Sequence, residues 1–105
     1  MMDRSKKMTD TESEIMEVLW NSEAPMSAAE LIDYFAQHCG KAWKASTLAT
    51  FLSRLNQKNL VDSVRRGRVP YYHPIQTKTA YMQSMAQEVL DTMYQGSVTK
   101  FFAAL

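Results

Sequence analysis

Residues 44–75 read KASTLATFLSRLNQKNLVDSVRRGRVPYYHPI, and the hydrophobic period changes once within them. Leu48, Phe51, Leu52 and Leu55 fall at i, i+3, i+4 and i+7, which predicts a helix from about Ala45 to Lys58 with one core-facing stripe. The opposite stripe carries Ser46, Thr50, Ser53 and Gln57, with Thr47 and Ala49 on its flanks and Arg54 beside it. Beyond Leu60 the pattern alternates through Val61, Val64, Val69, Tyr71 and Tyr72 around a turn centred on Arg66-Gly67-Arg68. These are good strand formers about a turn glycine, so a β-hairpin is predicted. Pro70 and Pro74 are expected to confine its strands to edge positions.

Two helices precede this stretch. Thr9 with Glu12 has capping-box spacing ahead of TESEIMEVLW, with Asp10 and Thr11 as alternative caps, and Ile15, Met16, Leu19 and Trp20 form a stripe. The acids of this helix read as a solvated face that complements the helix dipole. Residues 21–25, NSEAP, end it. Ser27 with Glu30 is a second capping box, and Met26 can staple to Leu31. The apolar side of that helix is Leu31, Ile32, Tyr34, Phe35 and Cys39, and Gly40 stands where a C′ glycine belongs. The connection to the next helix, 40–44, is short enough for a helix-turn-helix pair. After Pro74, residues 77–94 are helical again, capped by Thr77 or Thr79, and SVTKFFAAL (97–105) begins a further helix.

The predicted fold class is therefore mainly α with a small β-hairpin: a winged helix-turn-helix domain over 1–75, followed by a helical region over 76–105. At 105 residues the chain has room for one core and little more. Its apolar runs fall short of the ~18 residues that span a bilayer. A single cysteine, Cys39, excludes an internal disulfide and fits a reducing compartment, so a cytoplasmic location is expected. Cys39 itself reads as a small core residue.

Net charge is +1 but unevenly spread. Residues 1–39 carry three bases against eight acids, a balance of −5, whereas residues 40–68 carry seven bases against Asp62 alone, a balance of +6. Such segregation predicts a basic face. Acids are absent from residues 41–61, which include the whole of the small-residue helix. Small side chains let a helix approach base edges in the major groove. Ser and Thr hydroxyls can hydrogen-bond there, and Ala and the Thr methyl can touch the thymine methyl. Ser46, Thr47, Ala49, Thr50 and Ser53 are thus candidate base-reading residues. Lys44, Arg54, Lys58, Arg65, Arg66 and Arg68 are candidate phosphate ligands, and the arginines of the turn could also enter a minor groove. The same face would serve as a helix–helix contact in a winged-helix protein–protein module without DNA binding. That alternative predicts no salt-dependent retention on duplex DNA.

Other chemistry is not indicated. His38 and His73 lack metal-ligand spacing with Cys39, and no glycine-rich phosphate loop, paired-carboxylate site or Ser/His/Asp set stands out. Neither an enzyme nor a bound metal or cofactor is expected. Trp43, Tyr71 and Tyr72 read as core and wing packing. Met82, Met85, Val89, Leu90, Met93, Phe101, Phe102 and Leu105 exceed what so small a core needs, and read as a homodimer contact that would match the two-fold symmetry of a palindromic operator; the alternative is a fourth helix that packs back on its own domain.

Taken in order, TESEIMEVLW, then Trp43 with Thr47, Thr50, Leu52, Arg54, Leu55 and Lys58, then RRGRVPYYHP and MYQGSVTKFF resemble the penicillinase repressor (BlaI/MecI/CopY) family over nearly the whole chain. The resemblance implies a dimeric winged-helix transcriptional repressor on a palindromic operator overlapping a promoter, with C-terminal dimerisation helices. In β-lactam-responsive members an inducer-linked protease cuts the dimerisation helix; copper-responsive members use paired cysteines near the C-terminus. This chain departs from the pattern at Lys44, where serine is frequent, and at Ser46 and Ala49, where longer polar residues are common. The Asn-Phe bond of the penicillinase repressors would align near Ala104-Leu105, and the paired cysteines have no counterpart, so neither inducer is carried over. Family members usually continue for another helix, so a truncated or short member is expected.

Overall fold

The computed structural model describes residues 7–94, and the chain falls into two compact units, Met1–Ile75 and Gln76–Leu105. In the first, the order is α1 (Asp10–Asn21), β1 (Met26–Ser27), α2 (Ala28–His38), α3 (Ala45–Gln57), β2 (Val61–Arg66) and β3 (Val69–Pro74). The second holds α4 (Lys78–Tyr94). The expected helix over 97–105, with Phe101, Phe102 and Leu105, lies outside the described residues.

Both capping boxes form. Thr9 Oγ1 accepts from the Glu12 N–H and Glu12 Oε1 from the Thr9 N–H; Ser27 and Glu30 repeat the exchange. Each box satisfies two amide donors that a helix start otherwise leaves open. At the far end of α2, Gly40 takes φ +60° and the Lys41 N–H reaches the Phe35 carbonyl at 3.1 Å. α3 stops differently. Asn59 adopts φ 60°, its N–H bonds to Asn56 O, and the Leu60 N–H bonds to Leu55 O at 2.9 Å. This is a Schellman stop with asparagine in the left-handed position and an apolar pair, Leu55 and Leu60, closing it. It turns the chain into β2 with Leu60 and Val61 buried.

The core comprises Ile15, Met16 and Leu19 of α1, Leu31 and Phe35 of α2, Leu48, Leu52 and Leu55 of α3, and Leu60 and Val61. Trp20 and Phe51 are only half-buried. Cys39, expected in this core, is exposed as the C-cap of α2. The helix ends one residue before it, so its position is no longer on the buried stripe.

The sheet has three strands in the order β1-β3-β2, all antiparallel. Strand β3, with both prolines, is therefore the central strand rather than an edge. Counting from the closing pair Arg66↔Val69, hydrogen-bonded pairs alternate along the hairpin, so Pro70 and Pro74 turn their nitrogens away from β2. On that side β1 reaches only Tyr71 and Tyr72. No ladder donor is lost, and the rule against proline inside a sheet is obeyed locally. The hairpin loop is the two residues Gly67-Arg68, with φ +67° at Gly67, the first loop position, as a type II′ turn requires.

In the second unit, Thr77 Oγ1 caps α4 by accepting from the Ala80 N–H at 3.0 Å. Met82, Val89 and Met93 are more than half exposed on this helix, while Met85 and Leu90 are half-buried. Among the described residues no helix is long and apolar enough to cross a membrane.

Candidate nucleic-acid interface

Helix α3 turns Leu48, Leu52 and Leu55 inward, which leaves Ser46, Thr47, Ala49, Thr50, Ser53 and Arg54 all exposed on one surface. This surface is not covered by the chain's own unit. Lys44 is the N-cap but makes no side-chain capping bond; only its carbonyl serves the helix, accepting from Leu48 N–H. Its ammonium is thus left at the helix start, exposed. Thr50 Oγ1 donates back to Ser46 O at 3.1 Å. Its proton is spent on the helix, and its methyl group and oxygen lone pairs remain for a ligand.

Three aromatic rings set the position of this helix. Trp43 lies edge-on to Phe35 of α2 (centroids 5.9 Å apart) and to Phe51 of α3 (5.6 Å), so it wedges the turn between the two helices. Lys41 crosses its ring at 5.5 Å and pairs with Glu14 of α1 at 2.6 Å. That pair is about half exposed and contributes little by itself. Trp43 Nε1 is buried with no hydrogen-bond partner among the described residues, and nothing in the structure offsets this.

Across the turn the wing presents its arginines. Arg66 lies over the Tyr71 ring, 4.7 Å from the centroid, and one guanidinium nitrogen of Arg65 donates to the Arg68 carbonyl at 2.9 Å. Arg54 covers Phe51 at 5.4 Å. All four arginines are exposed. Stacking on a ring costs a guanidinium none of its in-plane donors, so each stacked head is held in place yet free to bind an anion.

Lys58 behaves otherwise. It was expected among the phosphate ligands, but its Nζ donates to Glu12 Oε1 at 2.7 Å and to the Lys7 carbonyl at 2.9 Å. Glu12 is only 1% exposed, so it is not part of a solvated acidic face. Burial pushes its carboxyl up; the hydrogen bonds from Lys58 and from the Thr9 N–H, with the charges of Lys58 and Arg54, outweigh that and hold it below its ordinary value. One carboxylate thus caps α1 and anchors the C-terminal end of α3. A capping-box glutamate is legible in sequence, but its partner lies 46 residues away and nothing local marks it.

The surface that results is acid-free along α3, hydroxyl-rich at its centre, and flanked by Lys44, Arg54 and the arginines of the wing. Among the described residues no group of three or more His, Cys, Asp or Glu could hold a metal ion. The sequence profile described as penicillinase repressor matches residues 8–105. A penicillinase repressor from Bacillus licheniformis is 26% identical over 97 residues, covering 92% of this chain and 73% of that protein. Among solved structures, the solution structure of the DNA-binding domain of the repressor BlaI aligns with a TM-score of 0.60 at 27% identity, over 74% of this chain and 92% of that domain.

Proposed function

The chain belongs to the penicillinase repressor family, and on that premise we propose that it represses transcription as a homodimer on a palindromic operator. That it is a DNA-binding repressor follows from the family and from its winged-helix fold; the operator, the dimer and the residue roles are our reading. The observation that carries it is the exposed, acid-free face of α3 beside an arginine-tipped wing. Ser46, Thr47, Ala49, Thr50 and Ser53 read the major groove, while Lys44, Arg54, Arg65, Arg66 and Arg68 hold phosphates. Lys58 is left out because its ammonium is committed to Glu12.

Residues 1–75 form the DNA-reading part and 76–105 the dimerisation part. The exposed Met82, Val89 and Met93 support the second assignment, because an uncovered apolar face on one helix is what an isologous contact buries. A reader of this kind acts in the cytoplasm, where the chromosome is.

Selection of genomic fragments by gel shift, followed by anisotropy titration over a range of salt, tests the reading. Thr50→Ser keeps the hydroxyl and removes the methyl. If that methyl meets a thymine, the operator is bound roughly fourfold more weakly, the worth of about one buried methyl, and random DNA is unaffected. Arg66→Ala weakens both and reduces the salt slope by about 0.9. Parent-like binding by both variants refutes the assignment. A protein that retains no duplex is a protein–protein module instead, and a monomer on sedimentation at micromolar concentration removes the dimer.

A further inference from the structure

Beside the base-reading face, between α3 and the root of the wing, lies a crevice of about 250 Å³ lined by Ala49, Leu52, Ser53, Asn56, Ser63 and Tyr72. Its walls come from different elements but are tied together, because Asn56 Nδ2 donates to the carbonyl of Val61 at 3.0 Å, the first residue of β2. Ser63 and Tyr72 are direct cross-strand partners, on the same face of the hairpin as the buried Val61. Among the described residues, the hydroxyls of Ser53, Ser63 and Tyr72 make no hydrogen bond to the protein. Three residues with unspent hydroxyls therefore line one concavity.

The strand that forms its wall brings one cation to the same face. Arg65 is two residues beyond Ser63 on the same face of β2, whereas Arg54 turns away round the helix to cover Phe51 and face Glu12. Asp62, the one acid in residues 41–75, alternates to the opposite face of the hairpin, and its Oδ1 accepts the Ser63 N–H at 2.8 Å. Neutral donors beside one cation suit a ligand that only accepts hydrogen bonds and carries negative charge.

We propose that this crevice seats one phosphodiester of the DNA backbone, with Ser63, Tyr72 and Ser53 donating to its non-bridging oxygens. The inference rests on the DNA-binding reading above and adds a site to it. It sets the register between helix and wing: a strand pinned at the wing root is presented to α3 at a fixed height, whatever its sequence. Because the donors are neutral, the contact contributes affinity without releasing counterions beyond those the arginines already displace.

The test uses the full chain and a duplex enriched by the parent protein from a random-sequence pool. Methylphosphonate is placed at one phosphate at a time, which removes that charge and one acceptor. Parent protein is expected to lose affinity at the phosphates its cations hold and, about tenfold, at one further position in each half-site. Ser63→Ala/Tyr72→Phe is expected to lose about tenfold on the unmodified duplex, to lose nothing further at that position, and to keep the parent's salt slope. Both substitutions are conservative, and an unchanged thermal melt excludes a folding defect. A double variant that binds like the parent, or that repeats its methylphosphonate profile, overturns the proposal while leaving DNA binding intact. Failure of the parent to enrich any duplex overturns the DNA reading and the crevice with it. Inorganic phosphate at constant ionic strength should compete no better than chloride; selective displacement by phosphate from the parent alone would show a free-anion site instead and overturn the assignment to DNA.

Discussion

Replacing Lys58 by methionine should reverse the sign of one part of this protein's pH dependence. In the parent, Glu12 has a folded pKa below its ordinary value of 4.5. The stability it contributes is then fully present above the unfolded pKa and is lost as pH falls through the folded one. Lys58→Met keeps most of the aliphatic stem but removes the hydrogen bond and the charge that oppose burial. Burial is the largest influence on Glu12, and the Thr9 N–H and the charge of Arg54 are then left to oppose it without Lys58, so the pKa is expected to rise, above the unfolded value if burial outweighs those two. Stability at neutral pH then drops, and acidification through the raised folded pKa restores part of it. Breaking a fully buried pair costs about 3–5 kcal/mol. Lys58 is 29% exposed and admits water to the vacated place, so about 2–3 kcal/mol is expected at pH 7, a fall in Tm of roughly 10–20 °C. Glu12→Gln should be milder, about 1 kcal/mol, because the amide oxygen can still accept from Thr9 and the lysine can turn to solvent. The double variant should be more stable than Lys58→Met alone. Urea denaturation from pH 4 to 8 on the four proteins measures all of this. A loss below about 0.5 kcal/mol in Lys58→Met, with a pH profile parallel to the parent's, would refute the coupling of the two helices through this carboxylate.

Two further outcomes follow from single positions. Gly67→Ala places a side chain in open space but at φ +67°, so its cost is conformational, about 1–2 kcal/mol by denaturation, with Gly67→Asn milder; parent-like stability for the alanine variant would contradict the turn geometry. Cys39 is exposed, so its thiol should react with Ellman's reagent without denaturant, and Cys39→Ser should change stability by no more than about 0.5 kcal/mol; a thiol that reacts only on unfolding would return it to the core.

The parts legible in sequence were those governed by neighbours a few residues apart. Thr9 with Glu12 and Ser27 with Glu30 announced two helix starts, and Gly40 announced a stop, because capping is chemistry across one turn. The stripe of Leu48, Leu52 and Leu55 announced which side of α3 is buried, and hence which residues are left outside. Asn59 followed by an apolar residue carried a readable signal for the second helix stop, since asparagine tolerates the left-handed conformation. The candidate interface was legible for the same reason as the core, as its complement.

Periodicity and capping thus determined the order of three helices and a hairpin and the outward face of α3, because each depends on residues within a turn or a strand pair of one another. Only tertiary packing decided the rest. Met26 and Ser27 are a strand because β3 lies beside them; two residues have no strand period of their own. Pro70 and Pro74 sit in a central strand because its outer neighbour is too short to meet them. Glu12 is buried, and Lys58 is turned from the ligand side to the core side, because the end of α3 folds back against the start of α1. Those contacts join residues far apart along the chain, where a side chain's partner is set by which surfaces meet.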